Sequence, residues 1–158
     1  VRTSLFVSGC RRHCKDCFNA VAWDFCYGRP FDKAARNAIL GSLAPDYIDG
    51  LSLLGGEPFE PENQRALVPF LRDVRVLYPH KTIWCYTGNS YEKELLQESP
   101  ARCEVTDEML ALLDVLVDGE FLTAEKDKSQ RIIDLNKTRA AGHTVLWQDD
   151  PIFADHKM

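Results

Sequence analysis

Short apolar runs alternate along this chain with longer stretches in which apolar residues recur three and four positions apart. Leu5, Phe6 and Val7 form the first run, which predicts a strand over residues 3–8, ended by Gly9. Residues 48–54 predict a second strand, Thr82–Tyr86 a third and residues 115–117 a buried fourth. Ile132 with Ile133, and then Val145, Leu146 and Trp147, predict short final strands. Between these runs the spacing turns helical. Asp32 is a suitable N-cap for a helix over residues 33–43. Pro61 suits the first turn of the next helix, in which Leu67, Phe70, Leu71, Val74 and Leu77 share a core face ahead of Pro79. Thr106, Asp107 and Glu108 open a third, with Met109, Leu110, Leu112 and Leu113 on its apolar side.

Strands alternating with helices predict a parallel α/β sheet. A closed eight-fold barrel takes about 250 residues, and this chain has 158. The fold class expected is therefore α/β, an open partial (β/α) barrel of about five or six mostly parallel strands. One domain over residues 1–158 is expected, without internal repeat, low-complexity tract or linker. The chain opens on Val1 and enters a strand almost at once, so a lead-in segment is expected to precede it. A barrel left open on one side gives a large protein substrate room to present a loop.

Composition narrows the function. Hydrophobic residues make up 45%, enough for a packed core. The net charge of −5, with no basic run, argues against a nucleic-acid surface. No apolar stretch approaches the roughly 20 residues of a membrane span. Six cysteines are too sparse for a disulfide scaffold, and no secretory segment is visible, so a reducing cytoplasm is expected.

The cysteines then change the picture. Cys10, Cys14 and Cys17 lie in one loop directly behind the first strand. Structural zinc closes a tetrahedron with four ligands, and an electron-transfer cubane takes four cysteines. Three cysteines on a cubane leave one iron open to a small molecule. A zinc knuckle, with Cys26 or His13 as fourth ligand, stands as the other reading. Arg11, Arg12, His13 and Lys15 make the loop basic, which favours thiolates and suits an acidic redox partner, although a solvated loop accounts for them equally well.

The spacing CxxxCxxC resembles that of the radical S-adenosylmethionine enzymes. The wider pattern is similar to one branch, the activating proteins of anaerobic (class III) ribonucleotide reductase. Leu5-Phe6-Val7-Ser8-Gly9-Cys10, Cys17-Phe18-Asn19 and Trp23 carry the resemblance. Leu54-Gly55-Gly56-Glu57-Pro58, Trp84-Cys85-Tyr86-Thr87-Gly88, Val115-Leu116-Val117-Asp118-Gly119-Glu120-Phe121 and Gln130-Arg131-Ile132-Ile133-Asp134 continue it in the same order. Residues from about 3 to about 134 are covered. Many superfamily members carry an aromatic residue just before the third cysteine. Here that position is Asp16 and the aromatic, Phe18, follows.

The resemblance implies a [4Fe-4S] cluster on Cys10, Cys14 and Cys17, whose open iron chelates the amino and carboxylate groups of S-adenosylmethionine. It implies that the backbone of Asp16, Cys17 and Phe18 lies along the cofactor's adenine. Core packing is the plainer account of Phe18 and Trp23. The loop Gly55-Gly56-Glu57 is expected to meet the amino group of the methionine moiety, because glycine lets backbone approach closely and Glu57 supplies a carboxylate. The plainer account of Glu57 is an acid in the first turn of a helix. Thr87 is expected to hydrogen-bond a ligand or to serve its turn. Asp118 is expected near the cofactor, since carboxylates at the C-terminal ends of strands carry chemistry in this architecture; a turn aspartate before Gly119 is the alternative. Cys85 is expected to be an inert buried thiol. Cys103 receives no role.

One-electron reduction would then cleave the sulfonium to methionine and a 5′-deoxyadenosyl radical, which takes hydrogen from a glycine Cα. By resemblance the partner is the large catalytic subunit of anaerobic ribonucleotide reductase, and the electron comes from a low-potential donor such as a reduced flavodoxin. The cofactor carries this chemistry while the protein positions it. Two competing readings are an activase of another glycyl-radical enzyme, such as pyruvate formate-lyase, and a non-catalytic zinc or iron–sulfur module.

Overall fold

A computed structural model of the protein describes residues 2–7, 33–119 and 131–146. Its centre is one five-stranded sheet in which strand order follows chain order. The strands are β1 (Arg2–Val7), β2 (Gly50–Gly55), β3 (Thr82–Tyr86), β4 (Val115–Asp118) and β5 (Arg131–Asp134). β1 to β4 are parallel, and β5 returns antiparallel to β4. The sheet is open, as the chain length requires. Of the final strands expected, the first is β5, and Leu146 makes only an isolated antiparallel bridge to Ile133. Trp147 and Asp32 lie outside the described residues.

Helices α1 (Lys33–Ser42), α2 (Pro61–Leu77), α3 (Thr106–Leu112) and α4 (Leu135–Ala141) fall between or after the strands, and a single π-helical turn spans Tyr91–Leu95. Strand side chains alternate between faces. Leu51, Leu53, Ile83, Cys85 and Leu116 therefore join Leu67, Phe70, Leu71, Val74, Met109 and Leu110 of the helices in one core. Losing a large side chain here, Leu53→Ala for example, has a typical cost of about 2–5 kcal/mol. On the opposite face the Arg2 guanidinium donates to Ser52 Oγ (2.9 Å) and Thr82 Oγ1 (2.7 Å) and lies over the Trp84 ring. That pins the edge strand β1 to its neighbours.

Three details differ from the expected pattern. Leu77 is 56% exposed at the last position of α2, and the C-cap Tyr78 packs against the core instead. Thr106 does open α3, but its hydroxyl does not serve as a cap: it donates to Gln64 Oε1 (2.6 Å) and accepts from the Cys103 amide (2.9 Å). Gln64 is fully buried, and its amide donates to the carbonyls of Phe59 and Ala101, so every polar atom of that side chain is satisfied. The loop after β2 and the loop before α3 are thereby joined through one residue of α2.

Candidate functional site

Four parallel strands end at the same edge of the sheet, and all the candidate residues within the described part of the chain lie along it. β1 ends at Val7, three residues before Cys10. Val7 pairs with Gly55, where the loop after β2 begins, and the Gly56 amide donates to the Val7 carbonyl at 2.7 Å. Gly55 has φ 109°, and a Cβ there would lie 2.3 Å from the Val7 carbonyl oxygen and 2.6 Å from its nitrogen. Only glycine fits this approach. The loop thus lies against the strand that feeds the cysteines.

Glu57 lies on the same loop and is 2% exposed. One carboxylate oxygen accepts from the Phe59 amide (2.9 Å) and from Thr87 Oγ1 (2.6 Å), and the other from the Gly88 amide (2.8 Å). The helix expected to hold it begins later, with Glu60 as N-cap and Pro61 first. Glu57 is therefore a loop residue, and its account as a first-turn helix acid fails. Thr87 Oγ1 also accepts from the amide and the side-chain nitrogen of Asn89, both at 3.1 Å. The Thr87 amide donates to the Val117 carbonyl, and the Gly119 amide to that of Asn89. The ends of β2, β3 and β4 are joined in one polar chain.

Asp118 closes the row at the end of β4, 1% exposed. The Tyr91 amide donates to it at 2.7 Å and Arg131 at 3.0 and 2.6 Å. Arg131 also donates to both oxygens of Glu92, which accepts as well from Thr144 Oγ1 at 2.6 Å. The Arg131 guanidinium, with help from Thr144, holds the Glu92 carboxyl down at about 2, and the two carboxylates raise the Arg131 pKa. The residue reading missed Arg131 and Glu92. The pairing of Arg131 with Asp118 appears only with the antiparallel register, which sets the two opposite one another. Cys85 is buried as expected, and burial, reinforced by the Glu57 charge, pushes its thiol well up. Cys103 is half-buried, with its sulfur 3.5 Å from Gln64 Oε1.

Cys10, Cys14, Cys17, Asp16 and Phe18 lie outside the described residues, as do Arg11, Arg12, His13, Lys15, Trp23 and Cys26. Among the described residues no group of three or more His, Cys, Asp or Glu could hold a metal ion. The described part of the site nonetheless suits a cofactor held by backbone: a loop whose Gly55 admits no side chain lies beside the strand that leads to the cysteines, and the buried Glu57 carboxylate ties it to the loop after β3. Among the described residues no helix is long and apolar enough to cross a membrane.

Residues 1–139 match the family described as a 4Fe-4S single cluster domain. The chain is 39% identical over 130 residues, 81% of its length and 77% of the relative's, to the anaerobic ribonucleoside-triphosphate reductase-activating protein of Pasteurella multocida. It is 38% identical over 130 residues to the protein of that name in Haemophilus influenzae, covering 81% and 79%. It is 33% identical over 122 residues to the one in Enterobacteria phage T4, covering 76% and 70%. No solved structure matches.

Proposed function

The chain belongs to the anaerobic ribonucleoside-triphosphate reductase-activating proteins, and on that premise we propose that the edge formed by β1 to β4 holds S-adenosylmethionine against a [4Fe-4S] cluster. It is a radical S-adenosylmethionine enzyme, an activase of a glycyl-radical enzyme. When bound, the cluster and its ligand supply a one-electron reduction that leaves methionine and 5′-deoxyadenosine, with a hydrogen atom lost from a glycine Cα of the protein partner.

Everything else falls to this chain's residues. Cys10, Cys14 and Cys17 would hold the cluster, as the resemblance implies. By resemblance, Asp16, Cys17 and Phe18 would meet the adenine. The loop of Gly55, Gly56 and Glu57 meets the methionine amino group. Thr87 and Asp118 border the site from β3 and β4 by holding its rim, since Thr87 is engaged by Glu57 and Asn89, and Asp118 by Arg131. No side chain needs to act as general acid or base. The partner is the large catalytic subunit of anaerobic ribonucleotide reductase, the donor a low-potential protein such as reduced flavodoxin, and the compartment the cytoplasm.

The observation that carries this reading is the 2.7 Å bond from Gly56 to Val7, which sets the β2 loop beside the strand running into Cys10. Anaerobic reconstitution with iron and sulfide, dithionite reduction and chromatography after adding S-adenosylmethionine test it. The expected result is release of 5′-deoxyadenosine, abolished by Cys14→Ala, and a glycyl-radical signal on addition of the reductase subunit. A colourless protein that holds zinc and cleaves nothing would overturn it.

A further inference from the structure

Glu57 stands where a ligand for the methionine ammonium is expected, yet the protein itself engages both of its carboxylate oxygens. We propose that Glu57 is a positioning residue, which acts on S-adenosylmethionine through the loop it anchors and not by contact. The inference rests on the reading that the β2 loop meets the amino group.

The geometry is specific. Among the described residues, the Thr87 hydroxyl and the Gly88 amide donate to the Glu57 carboxylate from the loop after β3, and the Phe59 amide donates from its own loop. Thr87 Oγ1 receives two bonds from Asn89, so its own proton is directed to Glu57. Thr87 is in turn fixed to β4 through Val117. On its other side the β2 loop is tied to β1 by the Gly56 amide. The loop is therefore held from both flanks, by main chain toward the cysteines and by the Glu57 carboxylate toward β3. A buried charge-assisted set of this kind fixes a backbone more firmly than neutral bonds do. Glu60 and Asn63 bond to the Glu57 carbonyl as well, at 3.1 and 2.8 Å, so the residue also sets the turn into α2.

A thermodynamic cycle distinguishes anchoring from contact. Full-length protein with its cluster oxidised, which cannot turn over, is titrated calorimetrically with S-adenosylmethionine. Glu57→Gln turns an amide donor toward a donor, and Thr87→Val removes the hydroxyl at constant shape. Each is expected to weaken binding by about tenfold. The double variant is expected to bind no worse than the weaker single, because both break one device, and Thr87→Ser to bind as the wild type does. Glu57→Asp, whose oxygens withdraw by one methylene, takes the place of Glu57→Gln if that variant does not fold. Direct contact predicts instead that Thr87→Val binds normally, or that the two losses multiply; either result overturns the inference. So do variants with lowered thermal midpoints and unchanged affinity. A wild-type protein that binds no S-adenosylmethionine removes the activase reading itself, whereas normal wild-type binding with indifferent variants removes this inference alone.

Discussion

At Gly55 the backbone turns into a conformation that side chains resist, hard against Val7. Gly55→Ala adds backbone strain of about 1–3 kcal/mol and a contact with main-chain atoms that have little freedom to move. We expect this variant to unfold at lower denaturant, with a loss of at least about 2 kcal/mol, and to have lost S-adenosylmethionine cleavage. A variant with unaltered stability and turnover would show that the loop tolerates displacement. The sequence marks Gly55 and Gly56 by their place behind a strand. It does not show that the constraint comes from the β1 backbone, because that contact spans residues 7 and 55. Glu57 is legible as a carboxylate at a strand end for the same reason, while its partners Thr87 and Gly88 become visible only with the parallel pairing.

Periodicity recovered most of the elements. β3 matches its expected bounds, α1 and α3 match at their starts, and the α2 core face is right except at Leu77. The π-helical turn over Tyr91–Leu95 carries no repeating pattern and stayed hidden. α2 also contains Pro69, where no intrahelical amide can reach Arg65. Pro69 and Arg65 both lie on the exposed side of the helix. Pro69→Ala restores the amide, partly offset by the freer unfolded chain. The expected outcome is a stabilisation of about 1–2 kcal/mol in urea denaturation with cleavage activity unchanged. A variant that is less stable would mean that the proline ring is packed and not merely tolerated.

Across the whole molecule, Arg131 on β5 joins β4 through Asp118 and the π-helical turn through Glu92, and Glu92 in turn accepts from Thr144. Glu92 is held near 2 from an ordinary 4.5, so its contribution is present above about pH 4.5 and fades as the pH falls toward 2. Glu92→Gln should therefore lower the thermal midpoint at pH 7, and the gap from wild type should close by about pH 2–3. Because Glu92 is partly exposed, salt should narrow the gap too. A gap that is constant from pH 7 to 3 would show that the carboxylate charge contributes nothing. This network was not legible beforehand. Alternation predicts a sheet, but strand direction depends on how the chain returns, and Asp118 faces Arg131 only because β5 runs backwards. The cysteine spacing can be read without the fold because it is local, and its three residues lie outside the described part of the chain.

The order of the strands in the sheet repeats their order in the chain. Each new strand can therefore be laid against the last one formed, as it emerges, and none has to be threaded between two that are already paired. Assembly by accretion keeps contacts near in sequence, a condition that favours quick folding over long searches. The cysteine segment falls in the chain between the first strand and the second, so the wall of the proposed cofactor site is raised only once the chain has gone on to build β2 and turn at Gly55.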